Sequence, residues 1–143
     1  MISWFEKHSK ISWAITLLIA IAIFYISSLT FELSTGVGGI GLKATLYHII
    51  AFFFFSFFLA ISLVRGKNRS LIFLAIIFSV LYSISDEIHQ FFVPGRVSSI
   101  SDVFLDSVGI IFASLFYFIL LEYRKINLKN TSANLFKPAL HIY

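Results

Sequence analysis

Four apolar runs, each as long as a membrane-spanning helix, limit what this chain can fold into. They cover about Ile11–Leu29, Ala44–Val64, Leu71–Phe91 and Val103–Leu121. A helix of roughly 20 residues crosses the hydrocarbon core of a bilayer. In that core every backbone N–H and C=O must find its partner inside the protein, and a run of this kind does so as a helix. Each run reads apolar all round, without the polar stripe of a helix that faces water on one side. Composition closes off the soluble alternative. Hydrophobic residues make up 59% of the 143 residues, charged residues 13%, and there are eighteen Phe. The interior of so small a soluble domain would be too small to hold them. The expected class is an all-α integral membrane protein with four transmembrane helices. It forms a single domain over residues 1–143, with a core at about 43–121 and a basic tail at 122–143.

The basic residues predict the orientation. Lys7 and Lys10 precede the first run, Arg65, Lys67 and Arg69 separate the second from the third, and Arg124, Lys125, Lys129 and Lys137 follow the fourth. The other two connections carry only Lys43 and Arg96. The positive-inside rule therefore predicts an N-in and C-in topology, with Lys43 and Arg96 on the extracytoplasmic side. The first run is too long for the h-region of a signal peptide and lacks a small-x-small site after it, so an uncleaved first helix is expected. The net charge of +4 is small and sits between apolar runs, which fits topology signals and not nucleic-acid binding. The absence of Cys excludes disulfide and thiolate chemistry.

The polar groups concentrate between Ser85 and Gly109. Four of the seven carboxylates lie there, Asp86, Glu87, Asp102 and Asp106, together with His89, Gln90 and Arg96. Carrying a carboxylate deep into a bilayer costs roughly 2.5–3.5 kcal/mol on insertion scales, so such a group has a partner or a task. Tyr82, Asp86 and His89 fall at i, i+4 and i+7, and Ser83, Glu87 and Gln90 repeat the spacing one residue on, giving a broad polar face on the third helix. On the fourth, Asp102, Asp106 and Gly109 share the same spacing, and Gly109 leaves room for another backbone. His48 lies near the outer end of the second helix, about a turn from Lys43. The predicted site is thus built from the second, third and fourth helices. Val93-Pro94-Gly95-Arg96 marks a tight turn. Ser101 or Asp102 is the expected N-cap of the last helix. Arg96 is the expected counter-ion of Asp102 and Asp106. The first outer loop holds Gly36, Gly38, Gly39 and Gly41 and reads as a pliable connector or a lid, with no phosphate-binding fingerprint. The tail after Tyr123 is expected to fray or to lie on anionic lipid.

These groups admit several chemistries. Crowded carboxylates in a poorly solvated place separate into an acid and a base, with Asp86, Glu87, Asp102, Asp106 and His48 as the catalytic candidates. Arg96, Lys43, Gln90 and His89 are the candidates for binding an anionic headgroup. His48, His89 and the carboxylates are suitable metal-ligand types, but no HExxH-like spacing occurs, and no metal or other cofactor is expected. A salt-bridged network that only fixes helix register is the structural alternative. The inner halves of the second and fourth helices are nearly all apolar, which argues against a transport path through one chain and leaves a homo-oligomer open.

Asp86-Glu87-Ile88-His89-Gln90, the Phe92-Val93-Pro94-Gly95-Arg96 turn and the Asp102/Asp106/Gly109 element together resemble the VanZ-like family of bacterial membrane proteins, with Lys43 and His48 matching an upstream Lys and His. The resemblance runs from Lys43 to about Leu120. It implies a multi-span helical protein of the cell envelope with the polar site facing outward. It further implies a link to teicoplanin or other glycopeptide susceptibility, through a lipid-linked or phosphorylated envelope component as partner alongside membrane lipids. It implies no settled reaction. Position 106 is Asp where many members have Asn. Lipid phosphatases and rhomboid-like proteases fit worse, because their SGH and GxSG elements are absent. Lipoprotein signal peptidases share only the size, the four spans and an outer aspartate pair.

Overall fold

Apolar residues with no interior proline make continuous helices, and the chain is a bundle of them. The structure, a computed structural model, describes residues 2–29 and 41–135, without the side chains of Lys43 and of residues 133–135. The expectations for Gly36, Gly38 and Gly39 and for Lys137 therefore lie outside the described residues. Five helices follow in order: α1 (Ile2–Lys7), α2 (Ser9–Ser27), α3 (Leu42–Val64), α4 (Leu71–Phe91) and α5 (Ile100–Leu135). No strand occurs among the described residues. Helices α2 to α5 are each long and apolar enough to cross a membrane.

Two boundaries differ from expectation. The first span runs Ser9–Ser27 and not Ile11–Leu29, behind the separate short helix α1. The last helix does not stop near Leu121 but continues to Leu135. No Gly or Pro interrupts residues 110–135, and Glu122, Arg124, Lys125 and Leu128 are good helix formers. Two ion pairs fasten that extra length: Arg69 with Glu122, and Arg124 with Glu6.

The interior inverts the pattern of a soluble protein. Ser12, Ser56, Ala60, Ser62, Ala75, Ser79 and Ala113 are buried, while Leu18, Phe73, Phe104, Phe112 and Ile119 point outward. Small residues inside let helices approach, and large apolar ones outside match lipid. The buried hydroxyls of Thr16 and Ser62 hydrogen-bond carbonyls one turn back, at Ser12 and Phe58. Larger side chains fill the remaining core, where Phe55 and Tyr82 lie with ring centroids 4.7 Å apart.

Helix α3 is the axis of the bundle and packs against each of the other four, while α2 and α5 both also pack on α4. Its closest neighbour is α5. A Cβ built on Gly109 would lie 2.2 Å from Ile49 O and 3.0 Å from Phe53 N, so the two backbones touch there. Helices α2 to α5 alternate in direction. One end of the bundle gathers Ser27, His48, Asp86–Gln90 and Ser99–Asp106. The other gathers Glu6, Gly66, Arg69, Tyr117 and Arg124.

At that second end the Glu6 carboxylate is 8% exposed and fully engaged. Arg124 donates from Nη1 to Oε2 at 2.7 Å and from Nη2 to Oε1 at 2.6 Å, and the Tyr117 hydroxyl donates to Oε1 at 2.6 Å. Burial by itself raises the Glu6 carboxyl. The hydrogen bonds from Arg124 and Tyr117 and the Arg124 charge outweigh it and hold the group below its ordinary value of 4.5. Gly66, at φ +67°, lies under the carboxylate, where a Cβ would sit 2.9 Å from Oε2.

Two outcomes follow for purified protein in detergent. Gly109→Ala forces α3 and α5 apart and lowers unfolding stability by about 1–3 kcal/mol, the usual cost of overpacking, read by thermal or SDS-driven unfolding. A group held below its ordinary value stabilises the fold above that value and loses the contribution as pH falls through the lowered one. Below pH about 4.5 the wild type therefore loses stability relative to Glu6→Gln, in which that contribution is already missing, and the gap between their melting curves narrows.

Candidate functional site

Helical spacing on α4 divides the polar residues into two rows, and each row meets a different neighbour. Tyr82, Asp86 and His89 face α2. The Tyr82 hydroxyl donates to Ala20 O at 2.7 Å, Ser27 Oγ donates to Asp86 Oδ2 at 2.9 Å, and His89 Nε2 lies 2.9 Å from Ser28 Oγ while its ring stacks on Phe24. Ser83 and Glu87 face α5. Ser83 Oγ donates to Asp106 Oδ2 at 2.6 Å, and Glu87 Oε2 accepts the Ser99 N–H at 2.8 Å. Gln90 joins the rows, with Nε2 donating to Asp86 Oδ2 at 2.9 Å and to Glu87 Oε1 at 3.3 Å.

His48 completes the group from α3. Its Nδ1 lies 2.9 Å from Asp106 Oδ1, and its Nε2 lies 3.7 Å from Asp102 Oδ2. The Asp106 carboxylate only accepts, so Nδ1 carries the proton and the imidazole is fixed with Nε2 toward Asp102. Asp106 is fully buried, whereas the side chain of Asp102 keeps 18% exposure at the rim. An imidazole oriented in this way is suited to proton exchange at Nε2 or to coordinating a cation there.

The turn leading into α5 is built from local chemistry. Val93 O accepts the Arg96 N–H at 3.1 Å across Pro94-Gly95, and Gly95 takes φ +81°, which suits Pro then Gly in a type II turn. Ser99 caps α5, its Oγ accepting the Ser101 N–H at 3.1 Å. The expected caps, Ser101 and Asp102, thus come two and three residues after the actual cap, and both lie inside the first turn. Ser99 has its own N–H held by Glu87 of a different helix, which leaves Asp102 to face His48.

The positions of the predicted site residues are now clear. Asp86, Glu87, Gln90, His48, Asp102 and Asp106 come together. His89 turns to α2. Arg96 donates from Nε to Ser27 O at 3.2 Å and from Nη2 to Ile26 O at 3.1 Å, closing the C-terminal end of α2, and His48 is the side chain between Asp102 and Asp106. Lys43 begins α3, with its side chain outside the described residues. The restriction of the site to three spans needs correction, since α2 supplies Ser27, Ser28 and two carbonyls. A serine at the end of an apolar run and a bare helix C-terminus carry almost no sequence signal, although four orphan carbonyls end every helix. Two buried polar atoms at this end, Asp86 Oδ1 and the Tyr47 hydroxyl, have no hydrogen-bond partner among the described residues.

A family model described as VanZ/LLP1 matches residues 3–121. The chain belongs to the VanZ/LLP1 family. The match takes in α1 and α2 as well as the motif-bearing stretch from Lys43 onward, in keeping with the part α2 plays at the polar end. No curated protein and no solved structure matches the chain. Family and helices together describe a VanZ-like multi-pass membrane protein.

The pinning of Asp106 gives a test. Asp106→Ala strands two buried donors, His48 Nδ1 and Ser83 Oγ, at about 1–3 kcal/mol each. Ser83→Ala removes one hydrogen bond to a charged group and costs about 1.5–3 kcal/mol. Unfolding in detergent reads both, and the order of the two losses is the checkable point.

Proposed function

We propose that this chain is a protein of the bacterial plasma membrane with its basic end in the cytoplasm and its carboxylate–imidazole end facing out. There it binds or acts on a lipid-linked or phosphorylated envelope component, and through that component it influences susceptibility to teicoplanin. The observation that carries the reading is the polar end itself. Asp86, Glu87, Asp106, His48 and Gln90 are buried together where four apolar helices end, with Asp102 at a half-open rim. Groups so costly to desolvate, gathered at one membrane level, mark a ligand site in a membrane protein. The distribution of Lys and Arg supports the orientation, and the VanZ/LLP1 match supports the envelope connection. Arg96 and Lys43 are the cations on the same side, suited to an anionic headgroup.

A structural reading has an observation of its own. Ser27, Asp86 and Gln90 tie α2 to α4, and Arg96 holds the end of α2. On that reading the cluster is a clasp, and removing any member lowers the amount of inserted protein.

One variant set separates the two. Asp86→Asn, Glu87→Gln, Arg96→Gln and Asp102→Asn are made singly, and membrane-inserted protein and teicoplanin susceptibility are measured together in the producing strain. Normal insertion with a changed phenotype is the expected result for Asp102→Asn and Glu87→Gln. Loss of insertion that accounts for every change in phenotype would leave only the clasp, and an unaltered phenotype across the set and in the deletion strain would sink the teicoplanin link.

A further inference from the structure

We propose that His48, Glu87 and Asp102 hold a divalent transition-metal ion such as Zn2+ or Mn2+. One ligand atom from each lies within 4.8 Å of the other two, and the three come from α3, α4 and α5. Donors sharing one ion at about 2.0–2.2 Å stand roughly 3–4 Å apart, so small side-chain adjustments close the site.

The geometry distinguishes this from a hydrogen-bonded pair. A charge-assisted N–H···O hydrogen bond is about 2.7–2.9 Å long. His48 Nδ1 and Asp106 meet that length at 2.9 Å, but Nε2 and Asp102 stand 3.7 Å apart. His48 is 8% exposed, and its Nε2 has no hydrogen-bond partner among the described residues. That nitrogen stands 3.7 Å from Asp102 Oδ2, the spacing of two ligands around one ion.

The surroundings are those of a metal-binding histidine. Such a residue almost always gives its other ring N–H to a carboxylate, which fixes the ring and raises its basicity. Asp106 does this, and is itself fixed by Ser83. Glu87 is held by the Ser99 N–H and by Gln90. Two positive charges would also offset a cluster in which Asp86, Glu87, Asp102 and Asp106 crowd a poorly solvated end. One imidazole with two carboxylates suits Zn2+ or Mn2+ better than the all-oxygen sets of Mg2+ or Ca2+. Three protein ligands leave coordination positions open, and a phosphoryl oxygen of an envelope component would take one. That last step rests on the function proposed above. Binding of the ion does not.

The test uses tag-free full-length protein in nanodiscs, stripped with EDTA and titrated with ZnCl2 and with MnCl2. The expected result is saturable binding of about one ion per chain. Asp102→Asn, at the half-open rim, and Glu87→Gln should each weaken binding at least tenfold. Asp106→Asn should weaken it by roughly 10–100-fold, the usual effect of losing the carboxylate behind a metal-bound histidine, and Glu6→Gln should leave it unchanged. Mn2+-loaded wild type should also show the electron-spin-echo modulation of a directly coordinated imidazole nitrogen, which needs no variant to fold. Absence of saturable binding, absence of that modulation, or full affinity retained in Asp102→Asn would each overturn the site. Metal binding lost in Asp102→Asn with teicoplanin susceptibility unaltered would keep the ion and discard its link to the envelope function.

Discussion

At Gly109 the backbone of α5 lies against the backbone of α3 at Ile49, and the polar end of the bundle depends on that contact. His48 directly precedes Ile49, and Asp106 stands three residues before Gly109. The close approach therefore brings Asp106 within 2.9 Å of His48. Any larger residue at 109 would separate the helices and open that pair first. Once paired, Asp106 also reaches Ser83 of α4, so one buried carboxylate joins three helices. The direction of His48 Nε2, the room at Asp102 and the place of Glu87 all follow from it.

The same end shows how a nearly uncharged helix bundle accommodates four carboxylates. Much of the support is neutral. Asp86 is held by Ser27 and Gln90, Glu87 by the Ser99 N–H and Gln90, and Asp106 in part by Ser83. Neutral donors satisfy lone pairs without bringing further charges out of water, and so avoid the desolvation that a second buried ion adds. They do not cancel the charge.

Much of this was legible in the sequence because membrane helices are long and their polar residues are few. Four spans followed from apolar length, and the two rows on α4 followed from spacing at i, i+4 and i+7. What the rows face was not legible. Spacing places Asp86 and Glu87 on neighbouring lines of a helix but does not say that one line meets α2 and the other α5. The charge of Arg96 is written in the sequence, while the α2 carbonyls it donates to are a property of backbone. The cap of α5 was misjudged for a similar reason. Three serines and an aspartate compete for that role, and Ser99 takes it with help from Glu87, a residue twelve positions earlier. The ion pairs that fasten the start of the extension of α5, from Arg69 to Glu122 and from Glu6 to Arg124, are contacts that no local pattern encodes.

The two ends of the bundle serve as controls for each other. Glu6 is a buried carboxylate whose two oxygens take three hydrogen bonds, two from the Arg124 fork and one from Tyr117. That is how this fold builds a clasp: a charge, a bidentate counter-charge and no lone group remaining. The opposite end is unlike it. His48 Nε2 stops 3.7 Å short of Asp102, and Asp86 Oδ1 and the Tyr47 hydroxyl are buried without a partner among the described residues. A buried polar atom left unmade costs about 1–3 kcal/mol. A bundle able to satisfy Glu6 completely has the means to satisfy Asp86. Ser56, Ser79 and Ser114 are also buried without a partner among the described residues, so what sets this end apart is that its unmade carboxylate oxygen lies beside an oriented imidazole and a rim where Asp102 stays partly open.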